Sequence, residues 1–86
     1  MDARRKKLLF RAWRRGFREM DLLMGSFADE RIADMTDAEL DEFEALLAEA
    51  DWDVYAWVTG NRDVPEAQQG PVLDQLKQFK YSAQPG

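Results

Sequence analysis

The sequence predicts an all-α fold, a compact five-helix bundle forming one domain, and three observations lead to it. Apolar residues recur at intervals of three and four in five separate runs, as they do on the buried stripe of a helix. No stretch alternates apolar with polar residues as a half-buried strand would. The chain has 86 residues, 45% of them hydrophobic, which supplies one small core and leaves no room for a second.

The first helix is expected over residues 3–15, which contain no Gly or Pro and place Leu9, Trp13 and then Phe17 on a spacing of four. Gly16 is expected to stop it in the left-handed conformation, with Arg14 and Arg15 at the negative helix end. A second helix is expected from Phe17, carried by Met20, Met24, Phe27 and Ala28 and closed by Asp34 to Thr36. Thr36-Asp37-Ala38-Glu39 reads as a capping box, with Met35 and Leu40 as its hydrophobic staple. The third helix should run to about Ala50, burying Leu40, Phe43, Leu47 and Ala50 and turning Asp41, Glu42 and Glu44 to water. Asp51 is expected to cap a short fourth helix through Trp52, Val54, Tyr55, Trp57 and Val58, with Gly60 as its stop. Those aromatics, Trp52 included, are read as packing residues. Residues 61–71 read as a linker holding one helical turn from Pro65. Val72, Leu73, Leu76 and Phe79 mark a fifth helix, and residues 81–86 are expected to be an unpacked, disordered tail.

Composition removes several kinds of chemistry. The chain has no His and no Cys, which leaves it without disulfides, thiolate nucleophiles, the usual zinc ligands and the commonest general base. The five Gly are isolated, so no phosphate-cradling loop exists. Asp37 and Asp41 share a helix face, as carboxylates on any solvated acidic face do, and the spacing of a calcium loop is absent. The reading is therefore a non-enzyme that binds no metal and no cofactor of its own. No apolar run approaches the roughly 20 residues that span a bilayer, so no membrane insertion is expected. The basic start Arg4-Arg5-Lys6-Lys7 is followed by only Leu8-Leu9-Phe10 before charge returns at Arg11, so the bacterial cytoplasm is the default expected location, with an unprocessed organelle form as the alternative.

Charge is split along the chain. Residues 1–19 hold eight basic and two acidic side chains, whereas residues 20–86 hold four basic and fifteen acidic ones, for a net charge of -5. A basic helix with Phe10, Trp13 and Phe17 interleaved has the look of a nucleic-acid contact, but the acidic remainder would repel a polyanion beyond one short strip. A protein surface is the expected partner, and nucleic acid is not. The apolar stripes are too short to demand an oligomer, which leaves a monomer or a weak homodimer.

The constellation that stands out is Arg15-Gly16-Phe17-Arg18-Glu19. It sets a cation, a backbone bare of side chain and a carboxylate at the corner between two helices. Such a corner suits docking of another polypeptide; it also suits plain helix punctuation. The Arg-Gly-x-x-Glu pattern, preceded by Trp13-Arg14 and followed by Met20-Asp21, resembles the signature of the succinate dehydrogenase FAD assembly factor family. A second block is similar as well: Met35-Thr36-Asp37-Ala38-Glu39-Leu40-Asp41 with Phe43-Glu44 and Leu46-Leu47, then Asp51 through Tyr55-Ala56-Trp57-Val58-Thr59-Gly60. The resemblance covers about residues 4 to 62; Phe17 stands where the family often has an aliphatic residue, and residues 64–86 carry none of it.

The resemblance implies a small helical chaperone that binds the flavoprotein subunit of succinate dehydrogenase, and in some bacteria that of fumarate reductase. Such a chaperone promotes covalent attachment of the client's FAD to a client histidine. It also implies Arg15, Gly16 and Glu19 as the client-binding core, with Arg11, Arg18 and Asp21 as neighbours on the same corner. An antitoxin-like regulatory module that binds another protein is the alternative.

Overall fold

The computed structural model describes residues 1–79, and the tail expected at residues 81–86 lies outside them. The described residues form five α-helices and two 3₁₀ turns, with no strand among them. The helices are α1 (Ala3–Ala12), α2 (Arg18–Arg31), α3 (Asp37–Ala48), α4 (Asp51–Thr59) and α5 (Pro71–Gln78). One 3₁₀ turn, Ile32–Asp34, prolongs α2, and the other, Glu66–Gln68, starts directly after Pro65 as the linker reading expected.

Helix α1 begins where Asp2 accepts a hydrogen bond from the Arg5 amide at 2.8 Å. That amide, together with the Arg5 guanidinium, holds the Asp2 carboxyl below the ordinary aspartate value. The helix ends at Ala12, three residues before the expected boundary. Its continuation would need the amides of Arg15 and Gly16 to bond carbonyls four residues back. Both are committed elsewhere: Arg15 donates to Asp21 Oδ1 at 2.5 Å and Gly16 to Asp51 Oδ2 at 2.6 Å. Gly16 is therefore not the left-handed stop; among the described residues only Gly60 has a positive φ.

Close packing of α1 on α2 rests on Gly25, which is buried against the Trp13 indole. A Cβ on Gly25 would lie 2.1 to 2.5 Å from three ring atoms, so no other residue fits without moving the indole. Phe17 is the extended residue before α2 and not its first helical residue. Met20, Leu23, Met24, Phe27 and Ala28 are buried along the helix. Arg5 then closes the far end, donating from Nε to the Ile32 carbonyl at 2.9 Å and from Nη2 to the Met35 carbonyl at 2.5 Å.

The capping box forms as read. The Thr36 hydroxyl accepts from the Glu39 amide at 3.2 Å, and the Glu39 carboxylate accepts from the Thr36 amide at 2.9 Å. The Thr36 amide is the main reason the Glu39 carboxyl lies below its ordinary value. Met35 and Leu40, the staple pair, both lie in the core. Leu46 is buried where the expected face had Ala50; α3 stops at Ala48, and Ala50 is the exposed, extended residue preceding α4.

Two acidic residues have roles that local reading missed. Asp51 is the first helical residue of α4 and not its cap, and its carboxylate points across to residues 15 and 16. Glu42, expected to face water, accepts from the amides of Val72 and Leu73, both at 3.0 Å, and so caps α5 from another helix. Gly60 stops α4 with φ 81°, as expected.

The core joins all five helices. Phe27 and Phe43 lie at its centre with ring centroids 5.9 Å apart, and Phe79 stands edge-on to Phe27 at 5.4 Å. Full burial of each such side chain stabilises the fold by about 1.5–3 kcal/mol. No polar or charged residue is buried among the described residues.

Candidate functional site

The corner between α1 and α2 is an elbow, residues 13–17, tied to the bundle from three directions. Arg15 is the hub. Its Nε donates to Asp51 Oδ1 at 3.0 Å, Nη2 to the Leu47 carbonyl at 3.0 Å and Nη1 to the Arg11 carbonyl at 3.3 Å. The guanidinium thus satisfies late carbonyls of α1 and α3 while neutralising a carboxylate at the start of α4. A planar fork can bond in three directions at once, which an ammonium on a flexible stem cannot reproduce. The side chains of Arg15 and Asp51 are 14% and 19% exposed, so the pair lies largely out of water.

Gly16 completes the clamp. Its amide donates to the second oxygen of Asp51, and a Cβ there would come 2.8 Å from that oxygen. The missing side chain is what allows the carboxylate to reach the backbone. Asp21, in the first turn of α2, accepts from the Arg15 amide and locks the other side of the elbow.

The structure divides the six candidate residues by role. Arg15, Gly16 and Asp21 converge on one internal network. Arg11 contributes its carbonyl to that network, while its guanidinium turns toward Glu44 of α3 at 3.8 Å. The side chains of Arg18 and Glu19 are exposed and make no hydrogen bond or ion pair among the described residues. Asp51 is the member that sequence reading missed, because as an acidic residue at a helix start it looked like an ordinary cap. The signal that could have found it is a glycine at position 16 with no turn that requires a positive φ.

Around the elbow the surface is aromatic as well as charged. Trp52 is 67% exposed and lies flat on Phe17, with centroids 3.9 Å apart and planes 10° from parallel. Tyr55 stands edge-on to Phe17 at 5.2 Å. The expectation that Trp52 is core packing is thus corrected, whereas Trp57 is buried as expected. Asp51 and Trp52 are consecutive in α4, so the residue that clamps the elbow also sets the position of the exposed indole.

Elsewhere on α1, Arg4 pairs with Asp41 at 2.6 Å and with Glu44 at 3.1 Å, bonds that raise its already high pKa. Among the described residues no group of three or more His, Cys, Asp or Glu could hold a metal, and no helix is long and apolar enough to cross a membrane.

The model of a family described as flavinator of succinate dehydrogenase matches residues 6–80, extending past the segment where sequence reading found resemblance. The chain is 42% identical over 83 residues to the mitochondrial succinate dehydrogenase assembly factor 2 of Candida glabrata, covering 92% of this chain and 54% of that protein. It is 41% identical over 80 residues to the same-named protein of Scheffersomyces stipitis, with 93% and 50% covered. The zebrafish protein, from Danio rerio, is 37% identical over 81 residues, with 92% and 51% covered. The chain spans about half the length of these curated relatives. They do not favour the antitoxin-like alternative, and they overturn the expected bacterial cytoplasmic location, since their names are mitochondrial. The earlier placement rested on charge and the lack of an apolar span, and neither specifies a compartment.

Proposed function

Because the chain belongs to the succinate dehydrogenase flavinator family, a family of assembly factors rather than catalysts, we propose that it binds the flavoprotein subunit of succinate dehydrogenase. There it promotes covalent attachment of FAD to a histidine of that subunit. The observation that carries this reading is the elbow. Arg15, Asp21 and Asp51 hold a side-chain-free backbone at Gly16 on the surface, with the unpaired Arg18 and Glu19 beside it. The bare backbone admits another chain closely, and the two charges can make charge-assisted hydrogen bonds to it.

The chain's own chemistry points the same way. Without His or Cys it has no group able to carry a flavin through a ring nitrogen or a thiolate, so the accepting imidazole belongs to the client. The helper acts by holding the client in the arrangement from which the bond forms. Fixing two groups in reactive geometry can lower a barrier by several kcal/mol, about tenfold in rate for each 1.4 kcal/mol.

The test is reconstitution of the purified flavoprotein subunit with FAD, with and without this chain, scored by in-gel flavin fluorescence after denaturation. Covalent flavin should rise when the chain is present. Glu19→Ala should reduce that rise with an unchanged circular dichroism spectrum. Equal flavin with and without the chain would overturn the reading.

A further inference from the structure

Large apolar side chains exposed on the described surface are few: Met1, Phe10 and Trp52. Two of the three lean on the elbow. The Arg14 guanidinium carbon sits 3.7 Å above the Phe10 ring, and the Trp52 ring stacks on Phe17. Arg14 and Phe17 are the residues that flank Arg15-Gly16. The clamped backbone is therefore bracketed by an aromatic ring on each side, each reached through one intervening side chain.

The cations on this part of the molecule fall into two sets. Arg4, Arg5, Arg11 and Arg15 face carboxylates of the chain itself. Lys6, Lys7, Arg14 and Arg18 are exposed and form no ion pair among the described residues. Lys6, Lys7 and Phe10 lie on the face of α1 opposite the buried Leu8 and Ala12, and Arg14, two residues past the helix end, sits over the Phe10 ring. An unpaired cationic stripe thus runs along α1 into the elbow and ends at Arg18.

We infer that Phe10 and Trp52 are paired anchors of one docking face, and that the surface they meet on the flavoprotein has an apolar recess for each ring, rimmed by carboxylates. This rests on the reading proposed above and adds to it the chemistry of the partner. Exposed rings held rigidly by a neighbour lose little freedom on binding, and Trp and Arg carry a disproportionate share of interface energy. The unpaired cations call for acidic complements, which speed encounter as well as select the partner. Nucleic acid fits the face poorly, because Glu19 lies within it and residues 20–86 carry eleven more acidic than basic side chains.

The experiment titrates the flavoprotein subunit with full-length chain at several salt concentrations, using Trp52→Ala, Phe10→Ala and Arg14→Gln/Arg18→Gln variants. Self-association and binding to a 20-base single-stranded DNA are measured in parallel. Each ring variant should weaken flavoprotein binding by about 30-fold, as loss of an interface anchor does, with its helical circular dichroism unchanged. Trp52→Phe, which keeps a ring over Phe17, should restore part of the loss. The double-charge variant should slow association and flatten its salt dependence. If wild-type chain binds the subunit and both ring variants bind within twofold of it, the anchors are wrong while the proposed function stands. If wild-type chain fails to bind, the proposed function falls and this inference with it. Ring variants that lose only self-association or only DNA binding would assign the face to a second copy or to nucleic acid, and either result overturns the inference.

Discussion

The Gly16 amide donates to Asp51 at 2.6 Å, and a methyl group on Gly16 would meet the same carboxylate at 2.8 Å. The contact that stabilises the elbow is also the contact that forbids a side chain there. Gly16→Ala should therefore destabilise the fold by ~1–2 kcal/mol, as the carboxylate is pushed off the amide and off Arg15. In an Asp51→Ser background most of that penalty should vanish, a coupling of about 1 kcal/mol by urea denaturation of the four proteins. An equal penalty in both backgrounds would show that Asp51 is not the reason for the glycine.

Arg15→Lys keeps the charge and loses the fork. Three separate hydrogen bonds, to Asp51 and to the Leu47 and Arg11 carbonyls, cannot all be kept by one ammonium. Because the pair is largely buried, the expected loss is ~1–3 kcal/mol, larger than for a surface ion pair. In a domain of this size that lowers the melting temperature by about 4–8 °C per kcal/mol.

Gly25→Ala tests the α1 to α2 contact. Its Cβ would press into the Trp13 ring at 2.1 Å, so the helices must separate or the indole must leave. A loss of ~1–3 kcal/mol is expected from overpacking, with a change in the near-ultraviolet circular dichroism of the tryptophans. An unaltered tryptophan signal at wild-type stability would contradict the packing described.

Glu42→Ala removes the cap that α3 supplies to α5. The amides of Val72 and Leu73 lose their acceptor, and hydrogen exchange at those two positions should accelerate well before that of the α2 core. The global cost should be about 1 kcal/mol, in the range for a lost helix cap. Gly70→Ala should give a related effect, since its Cβ would lie 2.5 Å from the same carboxylate.

Acid should weaken two helix starts. Asp2 and Glu39 are held below their ordinary values chiefly by the amides of Arg5 and Thr36. The unfolded chain therefore binds more protons than the folded one as these groups titrate. Their contribution is fully present above the ordinary carboxylate range, about pH 4 to 4.5, and is lost as pH falls through the lowered values. Denaturation midpoints from pH 7 to pH 2 should decline, and an Asp2→Asn/Glu39→Gln variant should start lower and decline less steeply.

The helices were legible because their signals are local. The Thr36 to Glu39 box, the Met35 and Leu40 staple, Pro65 and the left-handed Gly60 each declare themselves within a few residues. The elbow was legible only as a sequence pattern. Its bonds to Asp51 join positions 35 and 36 residues apart, and nothing near Gly16 announces a carboxylate arriving from α4. Separations of 30 and 31 residues likewise hid Glu42 from the start of α5, and the remoteness of Asp51 let Gly16 pass for a helix stop. Trp52 shows the opposite error: its spacing fits a packed face, yet its ring lies outside on Phe17.

Evolution should treat positions 16 and 51 as a single unit of inheritance. Lineages that retain the acid ought to retain the glycine, and a descendant that acquires a bulkier residue at 16 ought to have relinquished the acid at 51 first. A side chain gained at 16 while the acid persists at 51 is the history that the clamp makes improbable.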